Sequence, residues 1–372
     1  IDTVHRAAEL GVNASVNGID FGTLRDYRLR VVKTMVGGLA GLLAHRGITV
    51  FRANAAFHAD ETAPATSNHI VHLVPSPDQS DILTYHKADV PEPSGPTMDL
   101  TATNIVIATG SRPSWPAAWN ELGDRLIIND DIFAWETLPK SVAVFGTGVI
   151  GLELGQALTR LGVKVKLFGR GNRIGGISDP SVSAQAVSIF QQELDVHLDT
   201  KTSVRLNDAG QVEVSYERQG EQGVFEAEYL LAAIGRTPNT DNLGLEHLPE
   251  LKLDKRGVPI ADRHTMQTSI PHLFIAGDAS NQMPLLHEAS DQGVIAGKNA
   301  GTYPEINRGL RRSHIGVIFS DPQIMSVGYR WIELADLYPD CGCFAEGEVS
   351  FHNQGRSRVM GVNRGMLRVY AE

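Results

Sequence analysis

Only two cysteines, Cys341 and Cys343, occur in 372 residues. A disulfide scaffold is thereby excluded, and so sparing a use of thiols fits a reducing, cytoplasmic setting. Long apolar runs are also missing. No segment approaches the roughly 18 to 20 residues that a membrane span needs, and the opening IDTVHRAAEL has no basic-then-apolar leader pattern. Basic charge is in deficit, 33 Lys and Arg against 43 Asp and Glu for a net −10, which speaks against a nucleic-acid-binding surface. Aromatic residues make up 6% of the chain, yet 42% is hydrophobic and 20% charged. That is a soluble globular composition, long enough for two or three domains at about 150 residues each. The chain opens on Ile1 and stops just after the apolar run LRVYA, as expected of a fragment.

What is present reads as alternating helices and strands. Val32, Met35, Val36, Leu39, Leu42 and Leu43 recur at spacings of three and four and predict an amphipathic helix ending at Gly47. A strand, ITVFRANAAF, is expected next. Residues 58–100 turn polar around the strand-like runs HIVHLV and DILTYH, which predicts a β-hairpin excursion. NIVIATGSRP then reads as a strand releasing into a glycine turn. From Ser141 the order strand SVAVF, glycine turn, helix VIGLELGQALTRLG and strand VKVKLFG gives a βαβ unit with parallel strands. A further helix, DPSVSAQAVSIFQQEL, has Asp179 placed as its cap and Pro180 in its first turn. Strand-like pieces SVRLN, QVEVSYERQ and VFEAEYLLAAIG follow, then HLFIAGDAS and a helix from near Pro284 through Gly293 to Asn299. A new alternating pattern from His314 predicts the opening of a separate α+β domain.

The strongest local motif is Gly146-Thr147-Gly148-Val149-Ile150-Gly151 between an apolar strand and an amphipathic helix. The first glycine makes the turn, the second lets backbone approach a pyrophosphate, and the third permits close helix-on-strand packing at a positive helix N-terminus. A dinucleotide fingerprint also asks for an acid about 20 residues on, to bond ribose hydroxyls. That position is Gly169, followed by Arg170 and then Arg173. Those arginines would meet a 2′-phosphate, or are a solvated loop, so NAD against NADP stays open with a lean towards NADP. Cys341 and Cys343 read as ordinary thiols, and no metal site is expected.

Three more strand-to-turn junctions, Ala108-Thr109-Gly110, Ala233-Ile234-Gly235-Arg236 and Ala276-Gly277-Asp278, occur in an order that is specific. Together with GTGVIGLELG, AAIGRTPN, LLHEASDQG and FSDPQIMSVGY, they make the chain resemble the class I pyridine nucleotide-disulfide oxidoreductases over nearly its whole length. Within that family it is most similar to the dihydrolipoyl dehydrogenases. The resemblance implies an α/β fold with two Rossmann-like dinucleotide-binding domains, an FAD domain interrupted by an NAD(P) domain, plus the start of an α+β interface domain. The implied spans are 1–115 and 239–308 for FAD, 116–238 for NAD(P), and 309–372 for dimerisation.

Residue roles follow from the resemblance. Asp278 would bond the FAD ribityl chain, and Leu285, Leu286 and His287 would offer backbone amides to the flavin. Thr109 and Gly110 would pass close to FAD, with Ala55 at its adenine. Gly146, Thr147, Gly148, Val149, Ile150, Gly151, Gly169, Arg170, Val204 and Gly235 would line the NAD(P) cleft. Glu153, expected in the first turn of its helix, would orient the nicotinamide beside the flavin. The family reaction also needs an N-terminal FAD glycine motif, a redox cysteine pair, a following lysine and a C-terminal His-Glu pair, which the resemblance puts outside this stretch. The implied activity is electron transfer through FAD between NAD(P) and a dithiol, either a small molecule or a lipoyl domain, by a homodimer that would serve a 2-oxoacid dehydrogenase complex. A soluble transhydrogenase, or an NADPH-dependent reductase of the glutathione or mercuric type, is the enzyme alternative. A truncated nucleotide-binding or dimerising module is the non-enzyme one. An FAD domain without its first βαβ unit would expose a parallel sheet edge, so the isolated stretch is expected to aggregate or to lose flavin.

Overall fold

The computed structural model describes residues 2–51, 53–58, 69–75, 97–339 and 344–371. DILTYH, Cys341 and Cys343 lie outside them. The chain divides into two compact units, one of residues 1–29, 113–235 and 313–372, the other of 30–112 and 236–312.

The first unit is built on five parallel strands in the order Leu126–Ile127, Tyr229–Ala232, Ser141–Phe145, Lys164–Phe168, Asp195–His197. Parallel sheets need both faces covered, and Ser141–Phe145 shows how its residues divide. Val142 and Val144 face the helices Val149–Arg160 and Pro180–Phe190, packing with Leu152, Leu158, Ala186 and Phe190. Ala143 and Phe145 face an antiparallel sheet of Lys201–Leu206, Val212–Arg218 and Glu221–Ala227, packing with Val212, Val214, Phe225 and Ala227. The run VFEAEYLLAAIG is therefore two strands in two different sheets. They part at Glu228, whose N–H donates to the Ser141 carbonyl at 3.1 Å. Two antiparallel ribbons complete the unit, Ile315–Ile318 with Ile324–Val327 and Ala345–Ser350 with Met366–Ala371.

Asp179 caps the helix Pro180–Phe190 as expected, accepting the Val182 N–H at 2.8 Å with proline at the first helical position. It does more than cap. Its carboxylate also accepts from Arg368 Nη1 at 3.0 Å and from the Tyr370 hydroxyl, tying the helix to the strand Met366–Ala371. Burial raises the Asp179 pKa, but the bonds from Tyr370, Val182 and Arg368 together hold it below the ordinary 3.8. A depressed carboxylate pKa contributes stability that is present above the unfolded value and lost as pH falls through the folded one. Asn keeps the cap and loses the charge. The stability gap between the native protein and Asp179→Asn is thus expected to be constant at neutral pH and to close as pH drops below 3.8, measured by urea unfolding across pH. A gap that stays constant down to strong acid would refute the charge pairing.

In the second unit, the excursion is a three-stranded antiparallel sheet, Ala53–His58, His69–Pro75 and Met98–Ala102 in that order. The expected strand ITVFRANAAF begins only at Ala53; residues 48–51 are not in it. A parallel pair, Ile105–Ile107 with Leu273–Ile275, lies at the centre of a core containing Phe57, Leu245, Leu248, Val258 and Ile270. The helix Leu286–Thr302 buries Ile295 and Ala296 beside Phe274 and Ala276. The predicted amphipathic helix exists as Phe21–His45, but none of its residues is buried. Met35, Leu39 and Leu42 of the expected stripe are 70%, 57% and 52% exposed. Spacing showed which residues share a face, and nothing in spacing says what covers that face.

Candidate functional site

In the first unit Gly146, Gly151 and Gly155 each have a steric reason to be glycine. Gly146 sits at φ +114, and a Cβ there would lie 2.1 Å from the Ala233 carbonyl oxygen. A Cβ on Gly151 would lie 1.9 Å from the Gly146 carbonyl oxygen, and one on Gly155 would press on Leu167 at 3.1 Å. Gly148 is different: a Cβ there meets nothing within 4 Å. It stands at the N-cap of the helix Val149–Arg160, which no side chain caps. The first-turn N–H groups of Val149, Ile150 and Gly151 are therefore left for an anion, beside an open approach over Gly148. Thr147 shapes the loop, donating from Oγ1 to the Arg173 carbonyl at 3.0 Å and accepting the Gly175 N–H at 2.7 Å.

Gly169 ends the strand Lys164–Phe168 with its N–H on the His197 carbonyl at 2.8 Å. A Cβ there would stand 3.0 Å from both Thr147 Oγ1 and Thr147 Cγ2, and 3.1 Å from Leu198 Cδ2. Close packing thus disfavours a side chain at the position where a ribose-binding acid would be sought. Arg170 and Arg173 are exposed, and neither guanidinium makes an ion pair among the described residues. Behind this strand end, burial and then Lys166 lower the His197 pKa, so the ring favours its neutral form.

Glu153 corrects an expectation. The helix starts at Val149, so Glu153 is beyond the first turn, which holds no acid. Its Oε1 accepts the Phe319 N–H at 2.8 Å. Val204 is half-buried in the strand Lys201–Leu206 against the core that holds Phe145 and Phe168. Gly235, at φ +145, is exposed and its carbonyl accepts the Ser114 N–H at 3.1 Å.

The second unit gathers Thr109, Gly110 and Asp278 through residues that sequence reading passed over. Asn239 donates to the Thr109 carbonyl at 2.9 Å, and Thr109 Oγ1 donates to the Asn239 carbonyl at 2.7 Å. Gly110 accepts the Asn239 N–H at 2.9 Å. Asp278 Oδ2 accepts from Ser111 Oγ at 2.7 Å, and Ser111 is itself held by Arg236 Nε at 2.8 Å. Gln292, wholly buried, accepts the Gly277 N–H at 2.9 Å and the Ser280 hydroxyl at 3.0 Å, which fixes the turn carrying Asp278. Leu285 is the N-cap of the helix Leu286–Thr302, with no side-chain cap, while Leu286 and His287 are exposed in its first turn. The N–H groups of Leu286 and His287 lie in the first turn and have no intrahelical acceptor, whereas Leu285, against expectation, donates its N–H to the Met283 carbonyl at 2.9 Å. Next to them Glu288 and Arg311, 7% and 6% exposed at the side chain, form a buried ion pair. Ala55 lies in the edge strand of its sheet. Phe57 donates its N–H to the Leu243 carbonyl at 2.7 Å, so Ala55, two residues earlier, turns its backbone to the same outer edge.

Each unit thus offers one grouping suited to an anionic or hydroxyl-bearing ligand: an uncapped helix N-terminus with open approach in the first, and a carboxylate oriented by Ser111 beside a second uncapped helix N-terminus in the other. Among the described residues no cluster of His, Cys, Asp and Glu could hold a metal ion, and no helix is long and apolar enough to cross a membrane.

Comparison with known proteins bears on the same residues. A family model described as pyridine nucleotide-disulphide oxidoreductase matches residues 3–293. The dihydrolipoyl dehydrogenase of Geobacillus stearothermophilus is 29% identical over 322 residues, covering 86% of this chain and 62% of that protein. The chain thus spans about 62% of the length of such curated relatives. LpdA from Mycobacterium tuberculosis superposes with a TM-score of 0.77 at 19% identity, over 99% of this chain and 74% of that one. The HOCl-induced flavoprotein disulfide reductase RclA of Escherichia coli gives 0.74 at 18%, over the same shares.

Proposed function

This chain belongs to the pyridine nucleotide-disulphide oxidoreductase family, and on that premise we propose that it is the nucleotide-binding part of an FAD-dependent enzyme of the dihydrolipoyl dehydrogenase kind, acting between a dithiol or disulfide substrate and NAD(P). The observation that carries this reading is Gly148, an N-cap with empty space where its side chain would be, at a helix terminus without a side-chain cap. FAD, when bound, supplies the two-electron link between the dithiol and the nicotinamide. The protein's own residues bind and orient. Residues 30–112 and 236–312 form the FAD unit, where Asp278, oriented by Ser111, takes a ribityl hydroxyl. The amides of Leu286 and His287 present the positive end of their helix to the flavin, stabilising negative charge there, while the N–H of Leu285 is spent on the Met283 carbonyl. Thr109 and Gly110 flank the same cofactor, and the edge backbone of Ala55 meets its adenine. In the NAD(P) unit the amides from Gly148 to Gly151 hold the pyrophosphate, Val204 lies towards the adenine and Gly235 lines the cleft. Glu153 orients the nicotinamide with the carboxylate oxygen that Phe319 leaves free. The ribbons of 313–372 pair two copies, and the dithiol is a small molecule or the lipoyl domain of a 2-oxoacid dehydrogenase complex in the cytoplasm.

A second reading, an NADPH-linked disulfide reductase or a transhydrogenase, is favoured by one observation. A Cβ at Gly169 would crowd Thr147 and Leu198, while Arg170 beside it is exposed and makes no ion pair among the described residues. The test uses protein from the complete reading frame. A flavin absorbance spectrum with lipoamide turnover is expected; flavin with NADPH-driven reduction of another disulfide, or with exchange between nicotinamides, supports the second reading. A preparation without flavin defeats both. Arg170→Ala is expected to weaken NADPH by about 10- to 100-fold and to spare NADH, since a phosphate loses a charge-assisted partner. A protein that strongly prefers NADH removes that role from the arginine.

A further inference from the structure

A cluster of ionisable side chains lies between the parallel and antiparallel sheets of the first unit. Lys166 and Phe168 share one face of the strand Lys164–Phe168, and pair in register with Asp195 and His197 of the three-residue edge strand. Lys166 Nζ bonds Asp195 Oδ2 at 2.8 Å and stands 3.1 Å from His197 Nε2. Asp195 Oδ1 is 2.8 Å from that same nitrogen. From the antiparallel sheet the Tyr216 hydroxyl comes within 3.4 Å of Lys166 Nζ, and the His197 ring touches those of Phe168 and Tyr216 at centroid distances of 5.5 and 4.8 Å. Arg218 adds a further positive charge near His197, while Glu193, in the same surface recess, is taken up by Arg160. Lys166 and His197 are 14% and 13% exposed at the side chain, so their charges are poorly screened.

A neutral imidazole suits these surroundings and a cationic one does not. His197 Nε2 can donate to Asp195 or accept from Lys166, while Nδ1 is buried with no partner among the described residues. Protonation makes both nitrogens donors. One N–H would then face the Lys166 ammonium, and the other would be buried without an acceptor. Burial first, and then Lys166, accordingly hold the ring's pKa below the ordinary 6.5.

The backbone at His197 also carries the segment that follows Lys164–Phe168. Gly169 donates its N–H to the His197 carbonyl at 2.8 Å, Thr200 donates to the Gly169 carbonyl at 3.2 Å, and Asp199, at φ +52, donates to the Gly171 carbonyl at 2.9 Å. Gly169 and Arg170 are thus placed by residues 197–200, which follow a strand paired on one side only. A dinucleotide whose pyrophosphate sits at the helix N-terminus puts its adenosine half over this place.

We infer that His197 is a positioning residue for the adenosine end of the bound dinucleotide, holding residues 169–171 in place only while its ring is uncharged. This rests on the dinucleotide reading of the Gly146–Gly151 turn. A ring that gains a proton leaves the Lys166 ammonium for the recess of about 440 Å³ that Asp195, His197 and Arg218 help to line. The edge strand shifts with it, and residues 169–171 lose their support. Because the proton is taken up only below 6.5, affinity is steady above that pH and falls as pH drops beneath it.

The test titrates ADP-ribose, whose charge is constant over the range, into protein from the complete reading frame between about pH 5 and pH 8. Native affinity is expected to fall about tenfold from the upper to the lower limit. His197→Gln, whose amide takes no charge, and Lys166→Met, which removes the repulsion, are each expected to flatten that fall. The His197 ring of the native protein, followed by NMR, is expected to titrate with the midpoint of the affinity change. A native affinity that does not change with pH, a His197→Gln protein that keeps the whole fall, or a ring that titrates at a different midpoint overturns the inference. Failure of the native protein to bind ADP-ribose even at the upper limit overturns the underlying dinucleotide reading, and this inference with it.

Discussion

Gly148→Ala is expected to abolish measurable dinucleotide binding while leaving the unfolding midpoint nearly where it was, and Gly146→Ala to damage the fold itself. The two positions are two residues apart in one turn, and their surroundings set the contrast. At Gly148 an added methyl meets no protein atom within 4 Å, and the backbone is at φ −81, where alanine is unstrained. The loss in folding is that of a poorer N-cap, below about 1 kcal/mol. The same methyl occupies the approach to the amides of the helix terminus, and a loss of about 100-fold or more in affinity follows, roughly 2.8 kcal/mol. At Gly146 the methyl would stand 2.1 Å from the Ala233 carbonyl oxygen on a backbone at φ +114. Left-handed strain and overpacking each cost about 1 to 3 kcal/mol, so the variant loses several. Urea unfolding and calorimetric titration with ADP-ribose on both variants separate the effects. Equal destabilisation by the two alanines would show that Gly148 is a structural glycine and remove the chief support for a pyrophosphate site.

Breaking the buried Glu288–Arg311 pair is expected to be as costly as any substitution in the second unit. Both side chains are nearly inaccessible, at 7% and 6% exposure, and Arg311 Nη1 has no hydrogen-bond partner among the described residues. Arg311→Met leaves a buried carboxylate without its counter-charge, at a cost of about 3 to 5 kcal/mol. Glu288 stands in the first turn of its helix, so the helix dipole moderates the loss slightly. Glu288→Leu combined with Arg311→Met removes both charges and should recover most of the loss, because an apolar pair of similar volume escapes the desolvation penalty. The four proteins of this double-mutant cycle are compared by urea midpoint. A double variant less stable than either single one would mean that the pair's geometry, not its charge balance, is what the unit requires.

The nucleotide turn was legible in the sequence because its constraints are local. Three glycines at fixed spacing, a strand before and an amphipathic helix after, correspond to contacts within a few residues or across one strand. Asp179 as a helix cap was legible for the same reason, with Pro180 beside it. Its bonds to Arg368 and Tyr370 were not, since they cross 189 and 191 residues. Gln292 escaped notice because a glutamine on a helix reads as solvated until Gly277 and Ser280 are seen to close over it. Glu153 was placed a turn too early because the motif marks the glycines, while the first helical residue is decided by backbone geometry at Gly148.

The crowding at Gly169 has a consequence for how this sequence can change over time. Thr147 is held from both sides by its bonds to Arg173 and Gly175, and its side chain fills the space that a Cβ at residue 169 would need. An acid at 169 is therefore reached more readily after Thr147 has become smaller than before. The two intermediates are unequal, because the one with the acid first carries the crowding. Descendants of this chain are steered along one order of steps, with the smaller residue at 147 preceding any switch in which ribose the protein recognises.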